Sequence, residues 1–178
     1  MNRDRDPGLI ERCKRGDRMA LEQLLGEYQR PVYNAAYRIV GNTDDAADVT
    51  QAVFLKVFER LDQYDPKYKF FSWIYRIAIN ESINYINRVR KQQPLGDNEV
   101  AATSGPEELV QEADLCRTIQ DGLLQLQETH RVVVVLKHFS DCSYKEISDI
   151  LHIPEKTVKS RLYSARQIMK GNLQAKGF

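Results

Sequence analysis

The chain has 178 residues, a formal net charge of +1, 42% hydrophobic and 29% charged residues, three cysteines and one tryptophan. That size fits one ordinary domain or two small ones, and the apolar content excludes a disordered chain. No apolar run approaches the ~20 residues of a membrane span, and the N-terminal MNRDRDPGL lacks the apolar stretch of a secretory signal. Cys13, Cys116 and Cys142 are odd in number and widely spaced, which argues against a disulfide framework and for a cytoplasmic location.

The low net charge argues against a nucleic-acid partner only until its distribution is read. Residues 1–92 carry 16 basic and 13 acidic side chains, residues 93–126 carry 1 and 7, and residues 127–178 carry 9 and 5. Two basic lobes therefore flank an acidic middle, a distribution that points toward a polyanion more than the total does. It also allows the lobes to pack together, with acidic residues 107–121 shielding one basic face.

Taken in chain order, Leu21, Leu24, Leu25, Tyr28 and Val32 recur at helical spacing. Pro31 is expected to break that helix or open a new one running to Val40, and Gly41 suits a helix C-terminus. Thr43 is the expected cap of the next helix, with Asp44 and Asp45 in its first turn. Val49, Val53 and Val57 form its apolar stripe, flanked by Phe54, Phe58 and Leu61. Residues 62–69 read as a loop, and a long helix follows over about 72–90.

The segment 93–106, with Pro94, Gly96, Gly105 and Pro106, is the expected flexible linker. Some 15 extended residues there can separate two lobes by roughly 50 Å. Beyond it, 109–126 is helical by period. Val132–Val135 favours a strand by propensity, but a lone strand has no pairing partner, so a buried helix is expected. Two further helices are expected at about 144–151 and 154–170. The fold class is all-α: two small helical domains, 1–92 and 107–178, joined by a linker.

Three features bear on function. On the long helix, Arg76, Asn80, Asn84, Arg88 and Lys91 share one face. Asparagines can bond base edges and the cations beyond them can meet phosphates, although an ordinary solvated face has the same pattern. Upstream, Tyr64, Tyr68, Phe70, Phe71, Trp73 and Tyr75 interleave with Lys67 and Lys69, a composition that can stack unpaired bases. Trp73 and Phe70 also fit a core role, which leaves the two loop tyrosines as the better contact candidates. In the tail, a short helix, a turn at His152-Ile153, and a basic helix opened by Pro154 describe a helix-turn-helix. Val158, Leu162, Ala165 and Met169 form the apolar stripe of that last helix.

Catalytic patterns are lacking. There is no Gly-rich phosphate loop, CxxC or HExxH. His138 and Cys142 alone are too few for a metal, and Cys13 and Cys116 suit a role as small packed hydrophobes. No cofactor, metal or catalytic residue is expected.

Residues 32–42, 44–57 and 71–80 resemble region 2 of the bacterial extracytoplasmic-function (ECF) sigma factors, and residues 143–162 resemble their region 4. The resemblance covers both blocks in order. It implies a subunit that binds core RNA polymerase, recognises −35 and −10 promoter elements and assists promoter opening. It assigns Tyr64, Lys67, Tyr68, Lys69, Arg76, Asn80, Asn84, Arg88 and Lys91 to the −10 element and the capture of a flipped base. It assigns Lys156, Thr157, Lys159, Ser160, Arg161, Tyr163, Ser164, Arg166, Gln167 and Lys170 to the −35 element. Asp48, Gln51, Leu55 and Lys56 are implied to dock on the β′ clamp helices, with the β subunit as a further contact and an anti-sigma factor as a further partner. No membrane insertion of its own is implied. Ala52, Gln127 and Ser164 depart from the family pattern.

A homodimeric helix-turn-helix regulator would explain the tail but not the aromatic loop or the amide stripe. A nuclease ranks last, because no carboxylate cluster for a catalytic metal is evident. As a sigma subunit, the free chain is expected to bind promoter duplex poorly, since neither lobe alone neutralises many phosphates.

Overall fold

The computed structural model describes residues 6–92 and 110–175, and these residues are helical with no strand among them. The expected linker, 93–106, lies outside the described residues. The helices are α1 (Asp6–Lys14), α2 (Arg18–Val40), α3 (Thr43–Glu59), α4 (Phe70–Gln92), α5 (Val110–Leu124), α6 (Glu128–Val134), α7 (Tyr144–Leu151) and α8 (Glu155–Ala175). A 3-10 turn, Leu61–Gln63, precedes the 64–69 loop, and α6 runs on into a single π turn, Val135–Phe139.

The first half is a bundle of α2, α3 and α4, with α1 laid on α2. Asp17 caps α2 by accepting from the Ala20 N–H. The Arg12 guanidinium, bonded to Asp17 at 2.8 Å, holds that carboxyl below its ordinary range. The helix then passes through Pro31 without a break, contrary to the sequence expectation. A helical proline removes one backbone bond and costs about 3 kcal/mol. Here Leu24 and Tyr28 before it, and Val32, Ala35, Ala36 and Ile39 after it, are all buried against the same core. Breaking the helix would expose one of these two runs, and burial of several such side chains at ~1.5–3 kcal/mol each outweighs the proline cost.

The next cap also differs by one residue. Asn42, not Thr43, caps α3, its side-chain oxygen accepting from the Asp44 and Asp45 N–H groups, while Asp44 and Asp45 complement the helix dipole as expected. Both residue types can cap, and only the backbone path after Gly41 chooses between them. Val49, Val53 and Val57 are buried as a stripe. Two polar links tie α3 to α4. Lys56 Nζ meets Glu81 Oε1 at 2.6 Å, and the Tyr85 hydroxyl donates to the Asp45 carboxylate. Burial first, and then that bond, pushes the Tyr85 phenol up to about 12.

The second half is built around the buried Val132–Val135 run, the end of α6 and the first residue of the π turn, with α6 packed against α8 and the end of α2. A helix that is apolar all round belongs at the centre of a core, and that overrides the strand propensity of valine. Ser143 and Glu146 form a reciprocal capping box that starts α7. His152 closes α7 in the left-handed region, at φ 52° and ψ 44°. Pro154 stands one position before α8, where its carbonyl accepts from Thr157 and Val158, so α8 begins at Glu155. Cys142 and Cys13 are buried, whereas Cys116 is exposed and does not serve as core.

A continuous apolar core joins the two halves. The α2 end meets α5, α6 and the π turn, and α4 meets α7. Gly41 illustrates how closely they approach. It closes α2 at φ 89°, its N–H donating to the Tyr37 carbonyl at 2.8 Å. A Cβ built there would lie 2.7 Å from Leu124 Cδ1 of α5. Gly41→Ala is therefore expected to destabilise the chain by about 1–2 kcal/mol, through the left-handed backbone and the clash together. Thermal unfolding checks this, and an unchanged Tm would show that neither constraint acts.

Candidate nucleic-acid interface

Two surfaces carry the residues singled out from the sequence. On α4, Asn80, Asn84, Arg88 and Lys91 are exposed on one face, and Arg76 at its start is half-buried. The opposite side packs inward through Ile79, with Ile83 and Ile86 partly covered, so the core fixes which way the amides point. Arg88 lies over the Tyr85 ring, 5.2 Å from its centroid, and is thereby held along the helix surface.

The loop before α4 separates its aromatics into two kinds. Tyr64 is 5% exposed, edge-on to Phe70 at 5.3 Å and against Trp73 at 5.6 Å. Its hydroxyl donates to the Tyr68 carbonyl at 2.5 Å. It is thus a strut beneath the loop rather than a surface ring. Tyr68 is 64% exposed, between exposed Lys67 and Lys69. The loop presents one ring and two cations, held from below by Tyr64, Phe70 and Trp73. Phe70 is buried as expected, and Trp73 is half-buried against the core.

On α8, Val158, Leu162 and Ala165 are buried and Met169 partly so, which turns the other faces outward. Lys156, Lys159, Ser160, Tyr163, Ser164, Arg166, Gln167 and Lys170 are exposed, whereas Thr157 and Arg161 are half-buried. Lys159 Nζ lies 5.5 Å from the Tyr144 ring centroid, and Arg166 Nη2 lies 3.4 Å from His138 Nε2. Partial burial first, and then the Arg166 and Lys137 charges, lower the His138 pKa, so His138 favours its neutral form beside the cations. A basic, solvent-facing helix locked at a fixed angle by a small core is a groove-reading arrangement.

A third surface lies on the far side of the first half. A groove of about 730 Å³ runs between α2 and α3, lined by Leu25, Arg30 and Tyr33 from α2 and by Gln51, Leu55 and Phe58 from α3, among others. Leu55 is 57% exposed. Of the α3 residues expected to dock a partner, Gln51 and Leu55 line this groove. Asp48 is exposed outside its lining, and Lys56 turns to Glu81 of α4. The α2 wall was not read from the sequence. Its signal was Leu25 beside Leu24, an apolar residue in excess of one buried face.

Sequence reading also missed Arg131. It is buried, and its guanidinium donates to four backbone carbonyls. Three are on its own half, Leu123 at 2.9 Å, Leu124 at 2.7 Å and Leu126 at 3.1 Å, and the fourth is Ile39 at the end of α2. Burial lowers its pKa, as the cost of a desolvated cation requires. Two helix C-termini, each with partial negative charge, offset that cost. Nothing in residues 127–135 distinguishes this arginine from a surface one. Among the described residues no group of three His, Cys, Asp or Glu side chains is placed to hold a metal ion, and no helix is long and apolar enough to cross a membrane.

Each half of the chain matches a known family model. Residues 24–92 match Sigma-70 region 2 and residues 116–169 match Sigma-70 region 4. The chain is 35% identical over 180 residues to the ECF RNA polymerase sigma factor SigW of Bacillus subtilis, covering 93% of this chain and 95% of that one. It is 30% identical over 181 residues to the ECF RNA polymerase sigma-E factor of Escherichia coli K12, covering 95% and 94%. In fold it is similar to CnrH, solved in complex with the cytosolic domain of CnrY, with a TM-score of 0.73 and 24% identity over 94% of this chain and 96% of that one. It is also similar to RpoE of Bartonella quintana, solved with the anti-sigma factor NepR, with a TM-score of 0.69 and 18% identity over 86% and 96%. With both sigma regions matched in order and relatives spanning nearly its whole length, the chain belongs to the ECF sigma factors and is a sigma subunit of RNA polymerase.

Proposed function

We propose that the chain binds core RNA polymerase through the α2–α3 groove, reads a −35 element with α8, and reads and holds open a −10 element with α4 and the Tyr68 loop. The observation that carries this reading is the split between two outward faces of different chemistry. One is a cationic helix on a helix-turn-helix, suited to duplex DNA, and the other is an amide stripe beside one exposed tyrosine, suited to unpaired bases. Lys159, Ser160 and Tyr163 would face bases, and Arg166 and Lys170 phosphates. Lys156 and Gln167 flank them, with Ser164 exposed beside them and Thr157 and Arg161 closer to the domain. On the other face Asn80 and Asn84 would read bases, while Lys67, Arg76, Arg88 and Lys91 would follow the backbone. Opening a base from the stack costs a few kcal/mol, which the loop and the polymerase together must offset. Action on DNA with core RNA polymerase supports a cytoplasmic location for the protein. An anti-sigma factor is a fitting further partner, because the fold is that of a sigma factor solved with one.

Run-off transcription with core polymerase and a promoter library tests the reading. Start sites sharing a −35 and a −10 sequence are expected, and no chain-dependent transcripts would overturn it. Leu55→Glu places a charge in the groove without touching the core. It is expected to weaken core binding at least tenfold, as loss of an apolar interface anchor does, with Tm unchanged. Equal affinity of the variant for core polymerase would move the docking site elsewhere.

A further inference from the structure

The cations on and beside α4 differ in what holds them. Lys69 Nζ lies 3.4 Å from Glu146 Oε1 of α7, Arg76 Nη2 donates to the Asp149 carbonyl at 2.6 Å, and Arg90 pairs with Glu128 of α6. Arg88 is held from within the first half. Its guanidinium carbon lies 5.2 Å from the centroid of the Tyr85 ring, three residues back on the same helix. Residues at that spacing are neighbours on a helix surface, so the contact needs no distortion of α4.

The ring is itself fixed, and by another helix. Tyr85 is half-buried, and its hydroxyl donates to the carboxylate of Asp45 in the first turn of α3. Asp45 is fixed in turn, because its backbone N–H donates at 3.1 Å to the Asn42 side chain that caps α3. The Tyr85 phenol, pushed up to about 12 by burial and by that bond, keeps its proton through neutral pH and remains a donor. A hydroxyl that donates to an anion also polarises its ring, which strengthens the attraction of the ring face for a cation. Asn42, Asp45, Tyr85 and Arg88 thus form a series from the cap of α3 to the outward face of α4. Farther along α3, Gln51 and Leu55 line the groove, so one helix carries docking residues and the support of a cation on α4.

We propose that Tyr85, anchored by Asp45, is a positioning residue for promoter opening: its ring holds the Arg88 guanidinium where the backbone of the unpaired −10 strand passes. This rests on the reading of α4 given above. An untethered arginine spreads over many rotamers, and a phosphate that binds it must select one, which weakens the contact. A guanidinium already resting on a fixed ring has lost that freedom before DNA arrives. Asp45 acts one step further back, through the ring and not on the strand.

The test titrates holoenzyme, formed from core polymerase and the full chain, against labelled single-stranded DNA carrying the −10 sequence that run-off defines. Tyr85→Leu is expected to weaken binding about fivefold, and Arg88→Ala about as much, as loss of one cation held on a ring implies. The double variant should lose no more than Arg88→Ala alone, because the two residues act through one contact. Tyr85→Phe and Asp45→Ala break the same hydroxyl bond and should each cost about twofold, with no further loss when combined. Asp45→Asn keeps an acceptor for the hydroxyl and should bind as wild type. In the free chain, nuclear magnetic resonance reads the position directly. The Arg88 Hδ signals should be displaced upfield by the Tyr85 ring current in the wild type and in Asp45→Asn, less so in Tyr85→Phe and Asp45→Ala, and not in Tyr85→Leu.

Losses that add between Tyr85→Leu and Arg88→Ala overturn the proposal, as does a Tyr85→Leu chain that binds as wild type. So does a wild type without the ring-current displacement, or an Asp45→Asn chain that loses as much as Asp45→Ala. Thermal unfolding verifies that each variant is folded, and if Tyr85→Leu is not, Asp45→Ala carries the same cycle with Arg88→Ala. An Arg88→Ala holoenzyme that binds as tightly as wild type, while the free chain shows the displacement, strikes at the −10 reading of Arg88 and takes the proposal with it. The failure of the reading and the failure of the positioning thus leave different signatures.

Discussion

Arg131→Met is expected to lower the unfolding free energy by about 3–5 kcal/mol. Methionine matches much of the volume, so the loss is one of hydrogen bonding rather than of packing. The carbonyls of Leu123, Leu124 and Leu126 close α5, and that of Ile39 lies in the last turn of α2. Without the guanidinium the Leu123 carbonyl keeps the Leu126 N–H at 3.1 Å, and each buried acceptor left without a donor costs about 1–3 kcal/mol. Arg131→Lys should recover less than half, because an ammonium cannot spread donors to four acceptors in the fork geometry of arginine. Urea denaturation of the two variants and the wild type gives the comparison. A loss below 1 kcal/mol for methionine, or full recovery by lysine, would show that water satisfies the carbonyls instead.

The second large effect lies on the DNA side. Lys159→Ala, Arg166→Ala and Lys170→Ala together remove three exposed cations from α8 without touching Val158, Leu162 or Ala165 of its buried face. Stability is expected to stay within about 0.5 kcal/mol of wild type, as for surface substitutions generally. Affinity of the polymerase holoenzyme for duplex bearing the −35 element should fall roughly 100-fold near 0.1 M salt, since a phosphate that meets no protein cation keeps its condensed counterion and the entropy of releasing it is forgone. The diagnostic is the salt dependence. The slope of log affinity against log salt should shrink by about 2 for the triple variant, one for each of the phosphate-facing Arg166 and Lys170. Weaker binding with an unchanged slope would mean that the three side chains read bases and not phosphates, and unchanged binding would remove α8 from the interface.

The sequence carried the fold well where periodicity was strong. The valine stripe of α3, the isoleucine face of α4, the bounds of α7 and the buried face of α8 all follow from apolar residues at helical spacing. Reading the valine run 132–135 as a buried helix rested on the absence of a pairing partner, and α6 is that helix. Local rules failed where neighbours decided the outcome. Pro31 sits inside α2 because the core holds both flanking segments, and Asn42 takes the cap that Thr43 could equally have made. Tyr64 and Tyr68 are alike in sequence, yet one is a buried strut and the other an exposed ring, because only Tyr64 reaches Phe70 and Trp73.

The charge pattern shows the same division. Sequence alone determined that a net charge of +1 conceals two basic lobes around an acidic middle, and that each lobe carries its own polar face. Both follow from counting and from a helical period, which are local properties. Which cations remain free was decided by tertiary structure. Lys69, Arg76 and Arg90 are engaged by residues 38 to 77 positions away, and Arg131 reaches a carbonyl 92 residues distant. A helix end offers the same carbonyls whatever its sequence, so no residue pattern announces that a distant arginine will find them. Only the packing of α4 against α7, and of α2 against α5 and α6, brings donor and acceptor together.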